Sequence, residues 1–305
     1  MSADPTHTLA DLENWSFAGP ALAVLGHPIK HSVSPAMHNA ALADMARRDQ
    51  AYAAWKYFRF DVPPEQLPQA LARLHAAGFH GLNLTVPHKV LACDLVAETD
   101  PPARAIGAVN TLRRTATGWR GFNTDGYGLA TALREDLGVS LAGAHVVLLG
   151  AGGAARGAAV ECLRQQCASL WIANRTRANL DALLAALRPL AGTIPVHGFD
   201  PAEPPAALPG GAVVINATSA GLQPGEPAPI ALRRLPAAAK VCDMIYNPPQ
   251  TALLRDAAAL GLPHANGLSM LVHQGARALE IWTGAPVPAS VMRAAATAAL
   301  AAPHT

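Results

Sequence analysis

Charge is scarce in this chain. Only 14% of its 305 residues are Asp, Glu, Lys or Arg, and they balance to +2 with histidine neutral. That balance supplies neither a basic face for nucleic acid nor an acidic tail. Long apolar runs are missing as well. The hydrophobic 51% is largely alanine, and no uninterrupted stretch reaches the roughly 18 residues of a membrane helix. Cysteine is sparse, and Cys93, Cys162, Cys167 and Cys242 form no CxxC pair. They read as reduced core thiols of a cytoplasmic protein, not as a disulfide framework. His27, His31 and His38 have no carboxylate or cysteine beside them in sequence to complete a metal set, so no metal is expected. Met1 to Trp15 carries Asp4, Asp11 and Glu13 ahead of any apolar core. It reads as a loose extension, covering about residues 1–20, and not as a signal peptide.

What the chain does have is Val146-Val147-Leu148-Leu149-Gly150-Ala151-Gly152-Gly153-Ala154-Ala155-Arg156. Four apolar residues make a buried strand, and Gly150, Gly152 and Ala155 fit the G-x-G-x-x-G/A turn that opens a helix under a dinucleotide. The first glycine permits the tight turn, the second lets backbone amides approach a pyrophosphate, and the helix start presents a positive dipole end. The next strand, Ser169 to Ala173, ends roughly 20 residues later, where an NAD-binding unit carries Asp or Glu. Here it ends in Asn174-Arg175-Thr176-Arg177. A guanidinium at that tip suits the 2′-phosphate of NADP; beside the glycine turn at the right distance, a solvated strand-end arginine is the minority reading.

The length suggests about two domains. In the first, Ala21 to Leu25 reads as a strand feeding a helix that starts at Ser34-Pro35. Tyr52 to Phe60 is a second strand, Glu65 to Ala77 a helix, and Phe79 to Val86 a third strand stopped by Pro87. Alternating strands and helices imply a mainly parallel sheet. Ala108 to Leu112 and Gly118 to Gly121 read as a hairpin, followed by Asn123-Thr124-Asp125-Gly126 and a helix to Leu137. The second domain adds strands at Ala212 to Ile215 and Lys240 to Ile245, and helices through Leu180 to Leu187 and from Thr251 to Leu260. Two last helices, Gly267 to Trp282 and Pro288 to Ala302, exceed what the nucleotide sheet needs and are expected to return to the first domain. The expected division is thus 1–126, 127–265 and 266–305, in an α/β chain with a dinucleotide-binding second domain.

Local readings of the polar residues stay double. Ser32 and Ser34 lie where hydroxyls and free amides suit a small carboxylate, yet a turn and a helix cap explain them equally. Lys89 begins a helix, either as a surface lysine or as one able to exchange protons near neutrality. Asp125 reads locally as a helix cap.

Taken in order, these strings resemble the shikimate dehydrogenase family from about Ala21 to Pro288. They are Gly26 to Pro35 with His38-Asn39, Asn83-Leu84-Thr85-Val86-Pro87-His88-Lys89, Ala108 to Thr111, Asn123 to Gly126, Gly150 to Ala154, Asn174-Arg175-Thr176, Asn216-Ala217-Thr218, Asp243-Met244-Ile245-Tyr246, and Met270 to Gly275. The resemblance implies reversible reduction of 3-dehydroshikimate to shikimate by NADPH, in aromatic amino-acid biosynthesis. It implies that Ser32 and Ser34 hold the substrate carboxylate near Tyr246. Thr85, Asn110, Asp125 and Gln274 would hold its hydroxyls, with Asn83 beside them, and Lys89 and Asp125 would form the catalytic pair. NADP would be held by Gly150, Ala151, Gly152, Gly153, Ala154, Asn174, Arg175, Thr176, Arg177, Met244 and Gly267. In much of the family a second basic residue follows Asn-Arg-Thr; here Asn179 stands in its place, with Arg177 between.

Two other readings differ in kind. A quinate/shikimate dehydrogenase would use NAD or both cofactors. A non-catalytic NADP sensor would tolerate loss of Lys89 or Asp125, and both are present. Monomer and homodimer stay open.

Overall fold

The computed structural model describes residues 5–223, 225–236 and 239–302. The chain divides into two compact units, Met1–Thr124 with Val272–Thr305, and Asp125–Leu271.

The first unit begins with β1 (Ala21–Gly26), α1 (Ser34–Ala46), β2 (Lys56–Asp61), α2 (Leu67–Ala76) and β3 (Gly81–Leu84). All six residues of β1 are buried, as expected of an inner parallel strand covered on both faces. In α2 the buried residues Leu67, Ala70, Leu71 and Leu74 recur at helical spacing, forming one apolar stripe. Next come α3 (His88–Leu91), β4 (Glu98–Thr99), α4 (Pro101–Ile106), β5 (Thr111–Arg114) and β6 (Trp119–Phe122). The sheet order is β2-β1-β3-β5-β6-β4. β1 pairs in parallel with β2 and β3, whereas β5 is antiparallel to both β3 and β6.

The second unit runs α5 (Asp125–Leu137), β7 (His145–Leu149), α6 (Gly153–Arg164), β8 (Ser169–Ala173), α7 (Arg177–Ala191), β9 (Val196–Phe199), β10 (Val213–Asn216), β11 (Lys240–Asp243), α8 (Ala252–Ala259) and β12 (His264–Ala265). Its sheet, β12-β11-β10-β7-β8-β9, is parallel throughout. The strand order reverses between β7 and β10, the edge at which doubly wound sheets take ligands.

Helix α9 (Leu268–Thr283) passes from the second unit into the first, and α10 (Ala289–Ala301) packs on α1 within the first. Trp282 of α9 donates its indole N–H to the Leu112 carbonyl at 2.9 Å. The units part at Thr124/Asp125 and Leu271/Val272, a few residues from the expected divisions after 126 and 265, because Asp125 already belongs to α5.

One expectation is corrected outright. Residues 7–17 are not a loose extension. His7 pairs with Phe60, donating to the Arg59 carbonyl at 2.9 Å and accepting from the Asp61 amide at 2.8 Å. Leu9 and Leu12 are buried, and the Trp15 ring sits 4.9 Å from Phe58 and 5.2 Å from Phe79. The segment covers β2, the edge strand, whose unpaired backbone needs such cover. The first four residues of the expected extension lie outside the described residues. Two smaller departures concern short elements. The helix expected from Lys89 to Leu95 is a single turn followed by a 3-10 turn, Ala92–Asp94. Strand β9 has no counterpart in the sequence pattern, because His197-Gly198 carries no apolar alternation.

Candidate functional site

In the first unit the polar residues gather at the ends of β1, β3 and β5. Asn83, buried on β3, spends its amide within the protein. Its Nδ2 donates to the Asn110 carbonyl and to Thr111 Oγ1, both at 3.0 Å. Its Oδ1 accepts from the Tyr57 hydroxyl at 2.7 Å. Tyr57 is fully buried on β2, and burial raises its phenol well above the ordinary value. Val33 is the N-cap of α1 and Ser34 its first residue, so the plain capping reading falls away. The Ser34 backbone N–H donates to Ser32 Oγ at 3.3 Å.

Asn110 is the next link. Its Oδ1 accepts from the Thr124 amide at 2.9 Å and from Thr111 Oγ1 at 3.0 Å. Its Nδ2 donates to Thr124 Oγ1 at 3.0 Å and to Gln274 Oε1 at 3.4 Å. The structure therefore joins Asn83, Asn110 and Gln274, three residues distant in sequence, with Tyr57 and Thr124 bonded to them. Asn83 acts here as a brace. Thr85 follows β3 directly, donating its N–H to the Leu25 carbonyl at 3.0 Å. The half-buried Lys89 sits in α3, its carbonyl accepting from the Val109 amide at 2.8 Å. Sequence reasoning missed Tyr57, which reads as an ordinary core aromatic, and Thr124, whose signal was its place inside Asn123-Thr124-Asp125.

The histidines separate. His27 Nδ1 lies 2.7 Å from Asp61 Oδ1. His38 is buried, stacked 4.0 Å from the Tyr57 ring, with Nδ1 hydrogen-bonded to the Ser34 carbonyl at 2.9 Å. Burial lowers its pKa to about 4. Among the described residues no three His, Cys, Asp or Glu form a group able to hold a metal ion. All four cysteines are free, and burial pushes Cys167 up to about 11 and Cys242 up to about 12.

In the second unit a cavity of about 420 Å³ opens at the carboxyl edge of β7, β8 and β10. Gly150, Ala151, Gly152, Asn174, Arg175 and Glu226 are among the residues that line it. Gly150 has φ +111°, and a Cβ there would stand 3.0 Å from Thr218 Cγ2; only glycine makes this turn without strain. At Gly152 and Gly153 a Cβ would meet nothing within 4 Å. That open space over the start of α6 fits a pyrophosphate approaching backbone amides. Ala154 follows inside α6.

Of the residues expected to grip the adenosine end, Arg175 lines the cavity. Thr176 and Arg177 are not among its lining residues. The Arg177 guanidinium is paired with Asp181, Nε lying 2.9 Å from both carboxylate oxygens. The i,i+4 spacing on α7 favours that pair, which leaves the exposed Arg177 outside the cavity lining in this structure.

Beyond β10, Asn216 Nδ2 donates to Asp243 Oδ1 at 2.9 Å, and Thr251 Oγ1 donates to Asp243 Oδ2 at 2.6 Å. This clasp ties the ends of β10 and β11 to α8, while burial raises the Asp243 carboxyl. It fixes Met244 to Tyr246 just beyond. Gly267 rests against the Met244 carbonyl, too close for any side chain, and donates its N–H to the Ile245 carbonyl at 3.0 Å. Its visible role is packing. The half-buried Tyr246 has its phenol raised by burial. Asp125 is the first residue of α5, and the glycine after it lets α5 approach α6: a Cβ on Gly126 would stand 2.8 Å from Glu161 Oε2.

Comparison with known proteins supplies the context. Residues 24–112 match the family described as "Shikimate dehydrogenase substrate binding domain", and residues 267–297 match "Shikimate 5'-dehydrogenase C-terminal domain". The shikimate dehydrogenase (NADP(+)) of Symbiobacterium thermophilum is 43% identical over 286 residues, 92% of this chain and 95% of that protein. The crystal structure of shikimate 5-dehydrogenase from Thermus thermophilus, in complex with NADP(H) and shikimate, is 35% identical, with a TM-score of 0.80 over 92% of this chain and 99% of that one. The ligand-free 5-ketofructose reductase of a Gluconobacter sp. strain is 33% identical, with a TM-score of 0.80 over 93% of this chain and 99% of that one. On sequence and on fold alike, this chain belongs to the shikimate dehydrogenase family.

Proposed function

We propose that this chain reversibly reduces 3-dehydroshikimate to shikimate with NADPH, a step of aromatic amino-acid biosynthesis. The observation that carries the reading is the hydrogen-bonded series Asn83, Asn110, Thr124 and Gln274 at one sheet edge, in a unit that includes the matched substrate-binding segment. Hydrogen bonds of this kind set the rotamers of Asn110 and Gln274 before a polyhydroxylated ring arrives.

Each side chain then has a task. Ser32 and Ser34 hold the substrate carboxylate with Tyr246. Thr85, Asn110, Asp125 and Gln274 hold hydroxyls. Bound NADPH supplies a hydride to the ketone carbon. Lys89 delivers the proton that the ketone oxygen then requires, and Asp125 balances the lysine charge. Gly150 to Ala154 seat the pyrophosphate at the start of α6, and Arg175 meets the 2′-phosphate with a charged fork. The family and the reduced thiols fit a cytoplasmic enzyme, acting as a monomer or a homodimer.

A comparison of initial rates tests this reading. Shikimate with NADP should outpace shikimate with NAD, and quinate with either cofactor. The reverse reaction with 5-ketofructose and NADPH is the third substrate, because a relative of similar fold bears that name. Fastest turnover of quinate with NAD would replace the proposal with a quinate/shikimate dehydrogenase.

A further inference from the structure

We propose that Glu226 is a cofactor-selectivity residue, narrowing the preference for NADP over NAD that Arg175 creates. The proposal rests on the reading of Arg175 as the contact to the 2′-phosphate.

Glu226 lies in the loop after β10 and lines the same cavity as Arg175. Its position is fixed. Oε2 accepts the Gly221 amide at 2.8 Å and the Gln223 amide at 3.1 Å. Those backbone donors hold the carboxyl below its usual range, and the Arg175 charge adds to the effect. The wall of the cavity thus carries an anchored anion within electrostatic reach of Arg175.

The two cofactors feel that anion differently. The 2′-phosphate of NADP brings a negative charge to Arg175, which Glu226 both repels and competes with. NAD brings ribose hydroxyls instead, which donate hydrogen bonds to a carboxylate, as they do to the acidic residue of NAD-binding folds. Arg175 alone selects NADP. Arg175 with Glu226 selects it less.

The test is calorimetric titration of the ligand-free protein with NADP and with NAD, which reads binding and not turnover. Glu226→Gln keeps the length and an oxygen acceptor for the Gly221 and Gln223 amides while removing the charge. It should tighten NADP by about threefold to tenfold and leave NAD unchanged or weaker, as expected for one charge acting across a solvated pocket. Glu226→Asp, which keeps the charge, should hold the wild-type ratio. At about 1 M salt, where the screening length is about 3 Å, the gain from Glu226→Gln should shrink. An unchanged NADP to NAD ratio in folded Glu226→Gln would overturn the proposal, as would an equal change in both affinities. Arg175→Ala separates the underlying reading: equal weakening of NADP and NAD there would show that Arg175 does not read the phosphate, whatever Glu226→Gln does.

Discussion

Arg59 of β2 donates from Nη1 to the Ser32 carbonyl at 3.2 Å, and from the same nitrogen to the Lys30 carbonyl at 2.6 Å. A buried arginine, 8% exposed, therefore fastens the loop between β1 and α1 to the neighbouring strand. The loop carries Ser32, so its shape depends on a charge planted elsewhere in the sheet. Hydrogen bonds to charged groups contribute about 1.5–3 kcal/mol. Arg59→Met should lower the melting temperature by several degrees and raise KM for shikimate, with Arg59→Lys recovering part of both. Calorimetry with steady-state kinetics checks this; an unaltered KM would mean the loop holds its shape alone.

Lys89 tests the chemistry. It belongs to the first unit, and every residue lining the dinucleotide cavity belongs to the second. Lys89→Ala should cut kcat by about 100- to 10,000-fold, the usual contribution of a general acid, while NADPH binding measured by fluorescence stays at the wild-type value. Wild-type kcat at saturating substrate would reduce Lys89 to a surface residue.

Two neighbouring glycines should fail in different ways. Gly150 has φ +111° and close neighbours, whereas Gly152 has φ −83° and open space at its Cβ position. Gly150→Ala should lose about 1–2 kcal/mol of stability from backbone strain, and cofactor binding with it. Gly152→Ala should melt as the wild type does, yet bind NADP weakly, because its methyl occupies the approach to the backbone amides. Thermal melts beside titrations separate the two; equal melting losses would contradict the geometry.

A pH effect follows from His38. Its folded pKa, about 4 against an ordinary 6.5, is lowered by burial. The unfolded chain therefore takes up a proton before the folded one does. Stability is complete above about pH 6.5 and falls as pH drops toward 4, by roughly 3 kcal/mol in full. His38→Gln should flatten the urea-unfolding profile across that window, and a profile as steep as the wild type's would assign the loss to other groups.

Local pattern carries much of this fold and little of its connectivity. Ser169 to Ala173 reads as a strand and is one, and the glycine turn after Leu149 opens α6 as its spacing requires. Such features are set by residues adjacent in sequence. Tyr57 belongs to no motif, and its partners Asn83 and His38 lie on other elements, so only the register of β1 between β2 and β3 reveals it. Arg177 shows the opposite case. Its spacing from the glycines suggests phosphate, while the exposed guanidinium pairs with Asp181 one turn on, a contact that the glycine motif does not carry. The segment from His7 to Phe17 reads as loose because its anchors, Phe58, Phe60 and Phe79, come later in the chain.

The two serines make the last prediction, because the structure gives them unequal surroundings. Ser32 Oγ accepts the Ser34 amide at 3.3 Å, an acceptor role that leaves its own hydroxyl proton to donate. The Ser34 carbonyl is hydrogen-bonded instead to His38 at 2.9 Å, whose ring stacks 4.0 Å from Tyr57. A substrate carboxylate keeps its charge throughout hydride transfer, so contacts to it bind ground state and transition state alike and should appear in KM. Ser32→Ala should therefore raise KM for shikimate by about 5- to 50-fold, a charged hydrogen bond's worth, with kcat nearly unchanged. Ser34→Ala, which keeps the carbonyl that holds His38, should likewise raise KM while melting as the wild type does. Steady-state kinetics and melts on both single variants and the double check this. A kcat loss in either single variant as large as its KM change would recast that serine as a residue that positions the reacting centre.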